Sequence, residues 1–281
     1  MKIQLIADSC CDVTPAMRNT LRLQNAPLKI TVGGKNHYTD DGTIKIKTLL
    51  ADMKESKMPI ATAAPSPEDY ASLMRESEAA VVVTLSCHLS GSYNAAVSAR
   101  DIVLEETPDK PILVFDSKSA SAGELRLVLF IAGLIAEGAG MQDLARQVPP
   151  FIKGMRTYFV LEDLSNLVKN GRIPKVAGLL GSMLMLRPIM GENGDGEIIS
   201  LEKIRGTQKA LARLVEILAE TTLGRSGLLL TLSHCNCPER ALEMKKDILA
   251  ACPAIGEVIV TPTGGLSACY ANNGGIVVAV G

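Results

Sequence analysis

The chain has 281 residues, of which 47% are hydrophobic and 21% charged. That is enough apolar side chain for one large or two medium domains, and it excludes intrinsic disorder. With 29 basic and 30 acidic residues, 3% aromatics and no Trp, the chain offers neither a basic excess for nucleic acid or anionic membrane nor a stacking platform for single strands.

The opening run Ile3 to Ala7 predicts a strand, and Gln4 and Asp8 interrupt the apolar stretch too early for a signal peptide. Thr14-Pro15 sets a capping residue before a first-turn proline and starts a helix. Segments 28–32 and 35–38 flank Gly33-Gly34 as a hairpin. Ser66-Pro67-Glu68-Asp69 opens a further helix. Residues 80–85 form a near-continuous apolar run, as in a parallel sheet covered on both faces. A helix over 93–105, a buried strand over 111–115 and a strongly apolar helix over 122–137 follow. The longest apolar run, 127–136, is too short to span a bilayer. Gly138, Gly140, Pro149 and Pro150 mark a break with a short helix between them. Beyond it, helices are predicted near 162–169, 176–185 and 207–222. Strands are predicted near 157–160, 187–190, 198–204, 228–232, 257–260 and 276–280.

This alternation implies right-handed crossovers and a layered α/β architecture. The expected fold is a two-domain α/β protein. Residues 1–150 form a three-layer α/β/α domain with a mainly parallel sheet, and 151–281 form an α/β domain with a mixed sheet, with a cleft between them. The seven cysteines are odd in number and are read as reduced thiols of a cytoplasmic protein. His234, Cys235 and Cys237 lack a second ligand pair at structural-zinc spacing and are read as strand-end thiols.

Several catalytic signatures are absent: no G-x-G-x-x-G follows the first strand, and there is no P-loop and no G-x-S-x-G elbow. A triad would have to use His88, two residues from Ser90 on one tight loop. What remains are polar loops at strand ends, where α/β sheets bind ligands. They are Asp8 to Asp12, Ala61 to Ser66, Ser86 to Ser92 and Asp116 to Ser119. Ser90-Gly91-Ser92 at a helix start combines hydroxyls with free amides, which suits an anion, although the same serines can simply cap the helix. In the second half, Gly171 ends a helix and sets Arg172 in a constrained turn, where it serves either the helix dipole or a ligand. Lys203, Arg205 and Lys209 form either a solvated face or a docking surface.

Taken in order, these segments resemble the DegV family of bacterial fatty-acid-binding proteins across essentially the whole chain. The family's D-S-x-x-D-[LIV] start is seen from Asp8 to Val13, and its T-S-Q-P motif as Thr62-Ala63-Ala64-Pro65. Its S-S-x-[LI]-S-G-[TS] loop is seen as Ser86 to Ser92, and D-S-K as Asp116-Ser117-Lys118. L-x-x-L-x-x-G-G-R-I appears as Leu164 to Ile173, K-P-I-L as Arg187 to Met190, and K-V-R as Lys203-Ile204-Arg205.

The resemblance implies a non-catalytic protein that needs no cofactor or metal and buries one long-chain fatty acid between its domains. It assigns the carboxylate to the hydroxyls of Thr62 and Ser90, helped by the amides of Gly91 and Ser92. It places Arg172 and Arg205 at the head-group and partner side, and implies presentation of the acid to a separate fatty acid kinase subunit. Three departures stand out. Ala63 and Ala64 replace Ser and Gln, Cys87 replaces a serine, and Tyr270 stands where the family's C-terminal motif carries histidine. Two other readings use the same loops: a hydrolase or phosphoryl transferase working through Ser90 or Asp116, and a carrier of another small amphiphile.

Overall fold

The computed structural model describes residues 2–173 and 186–281, and the helix expected over 176–185 lies outside the described residues. β1 (Ile3–Asp8), α1 (Pro15–Leu21) and β2 (Gln24–Ala26) begin the chain. A small antiparallel unit follows: β3 (Lys29–Val32), β4 (Asn36–Thr39), α2 (Ile46–Glu55) and β5 (Ala61–Ala63), its strands ordered β4-β3-β5. α3 (Pro67–Arg75), β6 (Ala79–Thr84), α4 (Ser92–Glu106) and β7 (Ile112–Asp116) then complete a four-stranded sheet ordered β2-β1-β6-β7, parallel throughout.

Local chemistry explains the starts of these helices. Thr14 accepts the Met17 amide at 3.2 Å ahead of Pro15. Ser66 accepts the Asp69 amide at 3.2 Å, while Asp69 accepts the Ser66 amide at 2.7 Å, a reciprocal cap. All six residues of β6 are buried, because α3 and α4 cover one face of the sheet and α5 (Ala122–Ala136) covers the other.

α6 (Met141–Gly154) corrects the short helix placed between Gly138 and Pro150. It runs for 14 residues through Pro149 and Pro150. Each proline removes one backbone hydrogen bond, but Leu144 and Val148 are fully buried in the core under α5, and that packing carries the helix onward.

The second half contains β8 (Arg156–Val160), α7 (Ser165–Lys169), β9 (Leu186–Glu192), β10 (Ile198–Arg205), α8 (Thr207–Thr221), β11 (Leu228–His234), α9 (Pro238–Ala251), β12 (Ile255–Pro262), α10 (Gly265–Ala271) and β13 (Ile276–Val280). Its six strands lie in the order β10-β9-β8-β13-β11-β12. Only the β11–β12 pair is parallel, as its crossover helix α9 requires. The α/β fold with one parallel and one mixed sheet is therefore present as expected.

α8 and α9 cover one face of the mixed sheet through Leu214, Leu218, Met244 and Ile248. On the other face, Phe159 and Val277 share a core with Ile30, Val32 and Leu49 of the small antiparallel unit and with Ala268 and Cys269 of α10. Segment 29–63 thus packs on the second half of the chain.

α5 lies between the two large sheets, packed on β1 and β6 and on β11 and β13. It is tied to the mixed sheet by Thr231 Oγ1 donating to Ala122 O at 2.7 Å and by Arg126 Nε donating to Leu229 O at 3.0 Å. Gly123 permits this approach: a Cβ there would come within 1.8 Å of Ser119 Oγ and 2.6 Å of Thr157 Oγ1. Among the described residues no helix is long and apolar enough to cross a membrane.

Candidate ligand-binding site

A cavity of about 240 Å3 opens between the two large sheets. Its apolar wall comes from both halves: Leu28 and Leu85 from the first, Phe159, Leu161, Ile198 and Val277 from the second, and Leu266 from α10. Its polar end is built by the predicted loops.

Thr62 sits on β5, placed by its pairing with Ile30 of β3. It is half-buried, lines the cavity and lies 2.9 Å from the Tyr270 hydroxyl. Ser90 follows a tight turn in which the Leu89 and Ser90 amides both donate to Ser86 O, at 3.0 and 3.1 Å. The Ser90 hydroxyl accepts the Ser92 amide at 3.2 Å and donates to Ser92 Oγ at 3.3 Å. The capping role is therefore real, and the same hydroxyl lines the cavity. Gly91 lines it too and meets the neighbouring loop: a Cβ on Gly91 would stand 3.9 Å from the Ala64 Cβ. Ser92 is fully buried and stands behind Ser90 rather than on the wall.

Arg172 crosses from the second half. Gly171, at φ +73°, ends the helical turn, and the Arg172 amide donates back to Leu167 O at 2.8 Å. The side chain then reaches the Ser86–Ser92 loop, with Nε donating to Leu89 O at 3.0 Å, and lines the cavity. Tyr270, on α10, is half-buried, and burial raises its pKa, so its hydroxyl stays a neutral donor. Thr62, Ser90, Gly91, Arg172 and Tyr270 thus converge on one cavity wall. Arg205 does not: it is exposed at the end of β10, away from that wall.

The two aspartates of the first loop bind backbone rather than the cavity. Asp8 accepts the Cys10 amide at 3.0 Å and the Leu85 amide at 2.9 Å, joining the ends of β1 and β6. Asp12 accepts the Gly264 amide at 2.8 Å and the Ser121 hydroxyl. Asp40 accepts the amides of Gly265 and Leu266 at 2.9 and 2.8 Å. Asp12 and Asp40 together hold α10, and with it Tyr270, against the first half. Asp116 accepts the Lys118 amide at 2.9 Å and the Cys87 amide at 3.3 Å, clamping the third loop to the fourth.

The partners found for the Ser90 hydroxyl are the Ser92 amide and hydroxyl, so no base addresses it among the described residues. His88 instead approaches Glu197 at 3.6 Å. His234 Nδ1 accepts the Cys237 amide at 3.3 Å, while Cys235 is buried.

Lys118, in the fourth predicted loop, lines the cavity, whereas sequence reasoning did not single out Glu192 or the apolar residues from the mixed sheet as lining. Phe159 and Val277 alternate along strands as any core residues do, and no local signal marks them.

In comparison with known proteins, the DegV family model matches residues 2–280. A DegV domain-containing protein of Streptococcus pyogenes serotype M18 is 32% identical over 279 residues, 98% of each chain. A DegV family protein of Ruminococcus gnavus, solved with vaccenic acid, superposes with a TM-score of 0.93 at 36% identity over 99% of each chain. The fatty acid kinase (Fak) B3 protein of Streptococcus pneumoniae, loaded with linoleic acid, superposes with a TM-score of 0.90 at 28% identity, again over 99% of each chain. Matched from end to end in both sequence and fold, this chain belongs to the DegV family.

Proposed function

We propose that this protein binds one long-chain fatty acid between its two halves, 1–150 and 151–281, and presents it to a separate fatty acid kinase subunit. The carboxylate lies at the hydroxyls of Thr62 and Ser90 and the amide of Gly91; Ser92, expected to add its own amide, instead donates it to the Ser90 hydroxyl and supports that residue from behind. Tyr270 and Arg172 close the head-group end, and Arg205, exposed on β10, serves the partner. The protein acts in the cytoplasm, without a catalytic centre or cofactor of its own.

The observation that carries this reading is the pairing of one largely apolar cavity with a polar end where loops from both halves converge. The relatives from Ruminococcus gnavus and Streptococcus pneumoniae, whose structures hold fatty acids, support it. Each methylene moved from water into such a cavity contributes about 0.8 kcal/mol, so an acyl tail outweighs the several kcal/mol lost on association. A carboxylate buried without donors would be costly. Here the Thr62, Ser90 and Tyr270 hydroxyls offset that cost beside the Arg172 guanidinium.

The test is mass spectrometry of a denaturing extract of protein expressed in bacteria, with a copurified long-chain fatty acid as the expected result. An empty protein that also ignores added oleate would falsify the reading. The double variant Thr62→Ala, Ser90→Ala should weaken oleate binding by about 3 kcal/mol or more, roughly 100-fold, as for lost hydrogen bonds to a charged group. Unchanged affinity would move the carboxylate elsewhere.

A further inference from the structure

Behind the polar end of the cavity stands a set of carboxyls that fatty-acid binding does not use. Asp8 ends β1, Asp12 follows in the next loop, and Glu124 occupies the first turn of α5; Asp8 and Glu124 are fully buried. A carboxyl oxygen of Asp8, the Cys10 sulfur and a carboxyl oxygen of Glu124 all lie within 4.8 Å of one another. Asp8 has two amide donors, Cys10 and Leu85. Glu124 has none: neither of its oxygens meets an N–H or O–H donor among the described residues. The polar group it faces is the Asp8 carboxyl, itself an acceptor.

A buried carboxylate in that position needs a proton or a cation. Structural metal sites are closed by four ligands. Here the Cys10 sulfur already accepts the Ser121 amide at 3.4 Å, and the group offers three side chains. A proton on Glu124, donated to Asp8, satisfies both carboxyls with the groups already present.

The surroundings favour that proton. The titratable groups facing the pair are Cys10, Cys11 and Asp12 from the loop after β1, Asp116 from the end of β7, and Tyr70 from α3. Every one is an acid, and among the described residues no ion pair includes Asp8, Asp12 or Glu124. Burial, then the charges of Asp8 and Asp12, push Glu124 well above the usual carboxylate range. Burial raises Asp8 to about 7.

Two links join the pair to the ligand site. Cys10, beside the pair, lines the cavity, as does Leu85, whose amide holds Asp8.

We propose that Asp8 and Glu124 share one proton and that this proton is coupled to the fatty-acid carboxylate: the anion binds the protonated pair, and release of the proton to solvent at higher pH loosens it. The proposal rests on the fatty-acid reading above. At an effective dielectric of about 20, a like charge appearing behind the head-group end repels a bound anion enough to change its affinity by roughly tenfold.

The experiment measures oleate affinity from about pH 6 to about pH 9 for the natural protein and for Glu124→Gln, which mimics the protonated acid at every pH. The ligand's own ionisation is common to both. The natural protein should match the variant at the acid end and lose about tenfold relative to it at the alkaline end. Parallel profiles overturn the proposal. If neither protein binds oleate at any pH, the fatty-acid reading fails and the coupling falls with it. The shared proton itself is judged separately by infrared spectroscopy of the natural protein at neutral pH. A deuteration-sensitive carbonyl stretch of a protonated carboxyl supports it, and absence of that band overturns it even if Glu124→Gln does not fold. A stoichiometric divalent cation in the purified protein also overturns it.

Discussion

Asp12 shows how a buried acid acts on the whole chain. Burial raises its pKa from 3.8 to about 6, against the pull of the Ser121 hydroxyl and the Gly264 amide. A raised acid is protonated in both folded and unfolded chains at low pH, where folding costs it nothing. As pH rises, the unfolded chain gives up the proton first, so stability declines through the interval between about pH 4 and pH 6. Asp8 extends the same decline to about pH 7. Glu162 works the other way. Burial favours its protonated form, but Arg187, Thr207 and Arg240 together hold it below its ordinary value, and stability from this source is lost as pH falls. We therefore expect Asp12→Asn to flatten the fall in melting temperature between about pH 4 and pH 6 relative to the natural protein, each pKa unit corresponding to about 1.4 kcal/mol. Thermal melts in matched buffers check this, and identical slopes would mean that Asp12 is ionised throughout.

At the scale of elements, α5 is the central piece. Its apolar character on every side is legible in the sequence and follows from its place between two sheets. The close approach at its start depends on Gly123, where the Ser119 and Thr157 hydroxyls meet at 2.7 Å. Gly123→Ala must displace that pair, and both residues line the cavity. A loss of about 1–3 kcal/mol in denaturant titration is expected, as for overpacked cores, together with weaker ligand binding. A variant as stable as the natural protein would show that the start of α5 can shift freely. α10 makes the complementary point. Six of its seven residues are buried, so it carries no amphipathic period, and nothing in the sequence marked it as a helix.

For the whole molecule, the cavity lies between elements that are distant in the chain, and Arg172 and Tyr270 reach across to the loops of the first half. A ligand that fills such a space stabilises only the folded state. At a free concentration 100 times its dissociation constant it contributes about 2.7 kcal/mol. Stripping the fatty acid should therefore lower the melting temperature by several degrees, and added oleate should restore it. A melting temperature indifferent to oleate would place binding outside the folded core.

The sequence by itself determined the α/β rhythm, the capped starts at Thr14 and Ser66, the buried strand β6, and the order of the polar loops. Each of these is written in local periodicity or in one residue's backbone chemistry. The tertiary structure alone decided that segment 29–63 packs on the second half, that the first-loop aspartates clamp backbone, that Tyr270 meets Thr62, and that Arg205 stands apart from the cavity. Those outcomes depend on which surfaces bury one another across a hundred or more residues of chain, and burial of that kind leaves no periodic trace in the sequence.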